Sequence, residues 1–300
     1  MKGKKWRDVR NALVMVIVMV AMMSSATFAW FTLTSSPTVT GLQMTAAASQ
    51  GLKISETSGG DYYDAVDISD STGTNQNENN NILSPVSVTK AAGETSYKPL
   101  FYEPVYLGNT VTSLKSTALN ATDTTKLKGY VAKYEYYLKS DADTEWVGIV
   151  TAPETSQSGN IGITNNKANI PGSFVRQNSS ATNTFTAINA VRIGFVVGSE
   201  TKMYIYEPNN ESTTTTGTYA TNNVPAPTSD VVSTVDTGII TTGKGADDYT
   251  SKGLFQVSKA GTKITMYVWL EGTDDDCVDE IQKDIIEAQI QFTIAEAPTT

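Results

Sequence analysis

Apolar residues recur at every second position through much of this chain, and only rarely at helical spacing. In Ala190–Val197, Val191, Ile193, Phe195 and Val197 fall on one side, with Ala190, Arg192 and Gly194 on the other. Thr262–Leu270 sets Ile264, Met266, Val268 and Leu270 against Thr265, Tyr267 and Trp269. Ala288–Ile294 points Ala288, Ile290, Phe292 and Ile294 inward and Gln289, Gln291 and Thr293 outward. Tyr130–Lys139 opposes Tyr130, Ala132, Tyr134, Tyr136 and Leu138 to Lys133, Glu135 and Lys139. A period of two belongs to extended strands, whose successive side chains face opposite ways. One-sided alternation predicts antiparallel sheets with one wet face. Several such sheets must bury their dry faces on each other. The expected fold class is all-β, an antiparallel β-sandwich.

Met203–Tyr206 follows the first of these runs after the turn Gly198–Lys202, which predicts a hairpin. Weaker strand candidates are Thr40–Ala46, Leu52–Ser55, Ile82–Thr89, Leu100–Leu107, Trp146–Val150 and Gly253–Val257. One short crossover helix is predicted near the C-terminus, Asp274–Asp284. Thr273 or Asp274 would cap it, and Val278, Ile281 and Ile285 would form its apolar stripe. Asp70–Asn81, Ala152–Thr184 and Glu207–Asp236 read as long polar loops.

The chain holds no histidine and one cysteine, Cys277. A Ser-His-Asp triad, a His-Glu-x-x-His zinc helix and an imidazole metal site are therefore excluded. An intrachain disulfide is excluded too, so stability must come from burial and hydrogen bonding. Cys277 reads as a buried small apolar residue, with a reactive or intermolecular thiol as the other reading. The run Glu271–Asp276, with Asp279 and Glu280, reads as a helix N-terminus; a Ca2+ site is the weaker reading, since the EF-hand spacing is missing. No cofactor and no catalytic residue is assigned. An exported hydrolase working through paired carboxylates ranks last, because the acids lie scattered on predicted turns and outward faces.

The N-terminus supplies an address. Lys2, Lys4, Lys5, Arg7 and Arg10 precede the uncharged apolar run Ala12–Met23, and Ser24–Thr32 follows as a small-residue site. That order is the form of an export signal, helical over residues 1–29. The apolar core is about 12 residues, against the roughly 20 needed to span a bilayer. Removal after Ala29, with Thr27 and Ala29 at the two subsites of a signal peptidase and Trp30 as the new first residue, is the favoured reading. A retained N-terminal membrane anchor is the other, because no charge occurs between Arg10 and Lys53. Without residues 1–29 the chain keeps 17 basic and 30 acidic residues, a net charge of −13. Such a chain repels nucleic acid. The C-terminal Ala295–Thr300 shows no Leu-Pro-x-Thr-Gly signal and no apolar tail, so covalent wall sorting is not expected.

After the expected cut comes an extended tail, residues 30–37, and then the sandwich domain, residues 38–300. In the tail, Phe31, Leu33 and Ser35 alternate with Trp30, Thr32 and Thr34, and Pro37 stops the run. Two uses remain open. The tail pairs within its own domain, or Trp30, Phe31 and Leu33 carry it onto a neighbour's open sheet edge. Head-to-tail donation would not close, and would build a filament.

Thr27-Phe-Ala-Trp-Phe-Thr32 resembles the export signals handled by the SipW-type signal peptidase of Gram-positive bacteria, whose substrates include the TasA/camelysin family of biofilm-matrix proteins. Tyr267-Val-Trp-Leu-Glu-Gly-Thr-Asp-Asp-Asp-Cys277, preceded by Tyr204–Pro208, is similar to a signature of Clostridia-type surface proteins with that signal. The resemblance implies a jelly-roll-like sandwich, an extracellular location, and fibre assembly by N-terminal strand exchange with copies of itself or with other matrix components. The peptidase activity attributed to camelysin does not carry over to a chain without histidine. A monomeric adhesin or carbohydrate-binding module is the alternative.

Overall fold

The computed structural model describes Met15 and residues 39–49, 51–67, 83–90, 98–107, 110–115, 117–120, 127–150, 163–170, 172–177, 187–199, 203–207, 239–241, 253–274, 277 and 284–297. By its contacts the chain divides into two units, Met1–Ser36 and Pro37–Thr300. All that follows concerns the second. The expected signal helix apart from Met15 and the loop Asp70–Asn81 lie outside the described residues, as does Glu207–Asp236 beyond Glu207. Among the described residues no helix is long and apolar enough to cross a membrane.

The strands, in chain order, begin with β1 (Val39–Ala48), β2 (Leu52–Ser55), β3 (Ala65–Asp67), β4 (Ser87–Lys90), β5 (Pro99–Tyr102), β6 (Pro104–Leu107) and β7 (Thr110–Leu114). Next come β8 (Leu119–Asn120), β9 (Val131–Ser140), β10 (Glu145–Ile149), β11 (Ile163–Thr164), β12 (Lys167–Ala168) and β13 (Phe174–Gln177). The series ends with β14 (Val191–Val197), β15 (Met203–Glu207), β16 (Ile239–Thr241), β17 (Phe255–Val257), β18 (Thr262–Leu270) and β19 (Asp284–Ile294). The all-β expectation holds, and most ladders are antiparallel. One six-stranded sheet runs β17-β10-β19-β1-β3, with β13 also on β19; a second runs β16-β15-β14-β18-β9-β2.

The predicted dry faces meet where period two put them, except that Ile294, expected inward, is exposed at the end of β19 and Tyr130 packs half-buried against a different cluster. Val191, Ile193, Phe195 and Val197 of β14 and Ile264, Met266, Val268 and Leu270 of β18 share one buried cluster with Leu42, Met44 and Ala46 of β1 and Ile290 and Phe292 of β19. Phe292 is its hub. Its ring lies 5.9 Å from Tyr136, 5.7 Å from Phe195 and 6.0 Å from Phe255, centroid to centroid. Gly51, at φ 88°, lets the chain turn from β1 in one sheet to β2 in the other. A left-handed backbone costs glycine nothing extra, which is why it sits at this corner.

Four expectations need correction. First, the ladders are not all antiparallel: β1 runs parallel to β19 from Val39↔Asp284 to Ala48↔Phe292, and β16 runs parallel to β15. Only a short hairpin forces antiparallel pairing, and no such turn links these strands. Second, the outer faces are not uniformly wet. The sheet β4-β5-β8 covers the back of the β18 sheet, and Val88, Phe101, Leu119, Val196, Ile205, Tyr267 and Trp269 form a second buried cluster there. Every residue of β14 is buried, Val196 by this layer and Val191, Ile193, Phe195 and Val197 in the central cluster. A third layer over part of a sheet removes its solvent face.

Third, Ala152–Thr184 is not simply a loop. It contains β11, β12 and β13, and β13 pairs with Gln289–Ile286 of β19. Asn165 and Asn166, at φ 52° and 61°, make the two-residue turn between β11 and β12. Asparagine tolerates that conformation better than most residues, and paired left-handed residues match the strand twist. Gln289, expected outward and wet, is fully buried beneath this segment; its Nε2 donates to the carbonyls of Ile170 and Gly172. Fourth, Asp284 and Ile285 belong to β19, not to a helix. β-Branched Ile285 and Ile286 suit a ladder, and β1 supplies the partner. Of the remaining predicted helix, 275–276 and 278–283 lie outside the described residues.

Candidate functional site

Thr27, Ala29, Trp30, Phe31 and Leu33 lie outside the described residues, so the structure brings none of them together. It does describe the strand the tail leads into. On one side β1 meets β19 along its whole length. On the other, β3 meets only Thr45–Ala47. Among the described residues no strand pairs with Val39–Met44 on that second side. A row of unpaired backbone donors and acceptors is a template for an added strand.

An open cleft of about 480 Å³ is lined by Ala47 and Ala48 of β1 and by Gly51. Lys53, Asp64 and Lys167 stand at its walls, and Lys53 is ion-paired to Asp64. No aromatic ring lines it. Near the β2 corner, Lys139 covers the ring of Tyr62 at 4.1 Å from the centroid. The cleft therefore offers polar contacts without a stacking platform.

The most elaborate polar site is the turn from Trp269 to Cys277. Its backbone is tied to the covering layer: Val86 N–H donates to Leu270 O at 3.0 Å, and Gly272 N–H to Val86 O at 3.0 Å. Glu271 N–H donates to Ala190 O at 2.8 Å. The Glu271 side chain, expected on a solvated helix start, turns inward and is fully buried. Its Oε1 accepts from Thr273 N–H at 3.2 Å and Thr273 Oγ1–H at 2.7 Å; its Oε2 accepts from the Trp269 indole N–H at 3.2 Å. Burial pushes this carboxyl above its ordinary range, while the Thr273 hydrogen bonds and the Arg192 charge pull it back. Buried charge is costly unless paired and bonded, so the turn supplies acceptor satisfaction from its own residues.

Arg192, which alternation placed on an outward face, is 1% exposed. Its Nη2 pairs with Asp274, and its Nη1 donates to Asn189 O at 2.8 Å and Val191 O at 3.1 Å. A lone arginine in the apolar run Val191–Val197 was the available signal, with an acidic turn elsewhere to meet it. Cys277 is buried, and Tyr106 O–H points at its Sγ from 3.7 Å while also donating to Gly272 O at 3.1 Å. Burial raises the thiol well above its ordinary value, against the Tyr106 contact. A thiol held protonated is a poor nucleophile. As for Ca2+, Glu271 and Asp274 are engaged by protein groups, and among the described residues no three acids or thiols gather as a metal site.

Gly272 marks how closely this turn is packed. A Cβ there would stand 2.6 Å from Pro104 Cγ and 3.0 Å from Pro85 Cβ, both rigid rings. Gly272→Ala is expected to cost about 1–3 kcal/mol, as overpacking does. A urea midpoint lowered at unchanged slope is the check; an unchanged midpoint refutes the packing argument.

Comparison with known proteins gives no match to a family model, to a curated protein or to a solved structure.

Proposed function

We propose that the chain is an exported, non-enzymatic cell-surface protein, a subunit of a filament or biofilm matrix with a jelly-roll-like sandwich body, assembled by strand addition after signal removal. One observation carries the reading: the strand-competent segment Trp30–Ser36 precedes β1 in the sequence by Pro37 and Thr38 alone, and the Val39–Met44 half of β1 has a described partner on one side only. An alternating apolar segment and a sheet edge with no partner among the described residues are complementary through the same backbone hydrogen bonds. The basic head, apolar core and small-residue site at Thr27–Trp30 support export, and the net charge of −13 for residues 30–300 supports a soluble exterior life. The second reading, a monomeric adhesin or carbohydrate-binding module, draws on the cleft beside Lys53 and Lys167.

The test compares a chain beginning at Trp30 with one beginning at Pro37, by sedimentation and negative-stain microscopy. The first is expected to form ladders or fibres, and the second to stay monomeric. Monodisperse monomer from the Trp30 chain, at every concentration tried, would sink the filament reading and favour the adhesin.

A further inference from the structure

We infer that Glu271 makes the docking of the β4-β5-β8 sheet proton-dependent, so that this covering layer is held closed by the neutral carboxyl and loosens when it ionises. The position of Glu271 ties it to the covering layer. Val86, which leads into β4, forms a parallel bridge with Glu271, and its N–H and C=O are bonded to Leu270 and Gly272 on either side. The covering layer is thus hung on the residue whose carboxyl is buried. The seam and the buried carboxyl belong to one residue.

Several elements contribute the groups around the carboxyl. From β14 comes Arg192, whose donors are divided among Asp274 and two backbone carbonyls. From its own turn come Thr273, Asp274 and Cys277, and from β18 the Trp269 indole. From β6 comes Tyr106, directed at Gly272 O and Cys277. From β4 comes Ser87, whose buried Oγ stands close enough to the carboxyl to favour its charge. Burial outweighs the favourable contacts and holds the carboxyl above 4.5.

The sign follows from that direction. A group whose docked value is raised stabilises the docked state fully below its free value, near 4.5, and progressively less as pH rises through the raised value. Each pH unit inside that window multiplies the opening constant by about ten. What opening uncovers is apolar: Val196, Met203, Ile205, Tyr267 and Trp269 on the back of the β18 sheet.

Amide hydrogen exchange on the whole chain tests this, at pH 5 and pH 8 and corrected for intrinsic exchange. The readout is the protection of Val88 and Phe101 relative to Ile193 and Met266 in the central cluster. The expected result is a relative loss of about tenfold or more at the higher pH, and its absence in Glu271→Gln. An unchanged ratio in the native chain overturns the inference, as does a Gln variant that keeps the full shift. If that variant fails to fold, carbon-13 titration of the Glu271 carboxyl in the native chain decides instead. A midpoint above the ordinary glutamate value supports the inference, and one at or below it overturns it.

Discussion

Phe292→Ala is expected to destabilise the folded unit by about 3–5 kcal/mol, the range for removing a large buried aromatic side chain. Phe292 is fully buried in β19 and its ring meets those of Tyr136 and Phe195 across the core, at 5.9 and 5.7 Å. A third contact, Phe255 at 6.0 Å, leads on to Tyr204 at 5.5 Å. Each such pair adds about 0.5–1.5 kcal/mol beyond burial, so one substitution breaks three. Relaxation is restricted, because Phe292 is hydrogen-bonded in register with β1 on one side and β10 on the other. Against a total stability of about 5–15 kcal/mol, the loss is large. Urea denaturation should show a lowered midpoint, and Phe292→Leu should recover part of the deficit by refilling the space. A deficit below about 1 kcal/mol for the alanine variant would mean that the two sheets do not depend on this contact.

The contrast between Phe292 and Trp269 explains how much of the fold is legible in the chain. The inner faces of β9, β14, β18 and β19 follow from alternation alone, because burial on one side is a local demand on every second residue. The outer layer leaves only a weak trace. Tyr267 and Trp269 sit on the side that alternation makes wet, yet both are aromatic and both are buried under Phe101, at 6.0 and 5.7 Å. An aromatic pair on a supposedly solvated face was the local sign that something covers it. The parallel β1–β19 pairing leaves no such sign, since it joins residues at opposite ends of the folded unit and is chosen by packing. The site divides in the same way. The turn Trp269–Cys277 stands out as a motif, but an acid written next to glycine and aspartates looks solvated. Only the fold shows that Glu271 is inside and Asp274 at the rim.

The second large effect is expected at Arg192. Arg192→Leu should cost about 3–5 kcal/mol near neutral pH, because it leaves the Asp274 carboxylate and the buried Glu271 without their cation. Arg192→Lys should recover only part, since an ammonium cannot serve Asp274 and the carbonyls of Asn189 and Val191 in one planar fork. The loss should also depend on pH, with a definite sign. The Arg192 charge lowers the raised value of Glu271, so removing it raises that value further. A group of this kind contributes stability below its unfolded value and loses it as pH rises. The deficit of Arg192→Leu is therefore smallest in acid, where Glu271 is neutral in both chains, and grows toward pH 8. Urea midpoints at pH 5 and pH 8 measure it directly. The double variant Arg192→Leu/Glu271→Gln sharpens the argument. If the two side chains share one electrostatic environment, neutralising the acid removes part of the harm done by losing the cation. The paired loss should then fall short of the sum by roughly 0.5–3 kcal/mol, the range for residues in one network. A strictly additive pair, or a deficit larger at pH 5 than at pH 8, would show that Arg192 acts through packing of its stem and not through its charge.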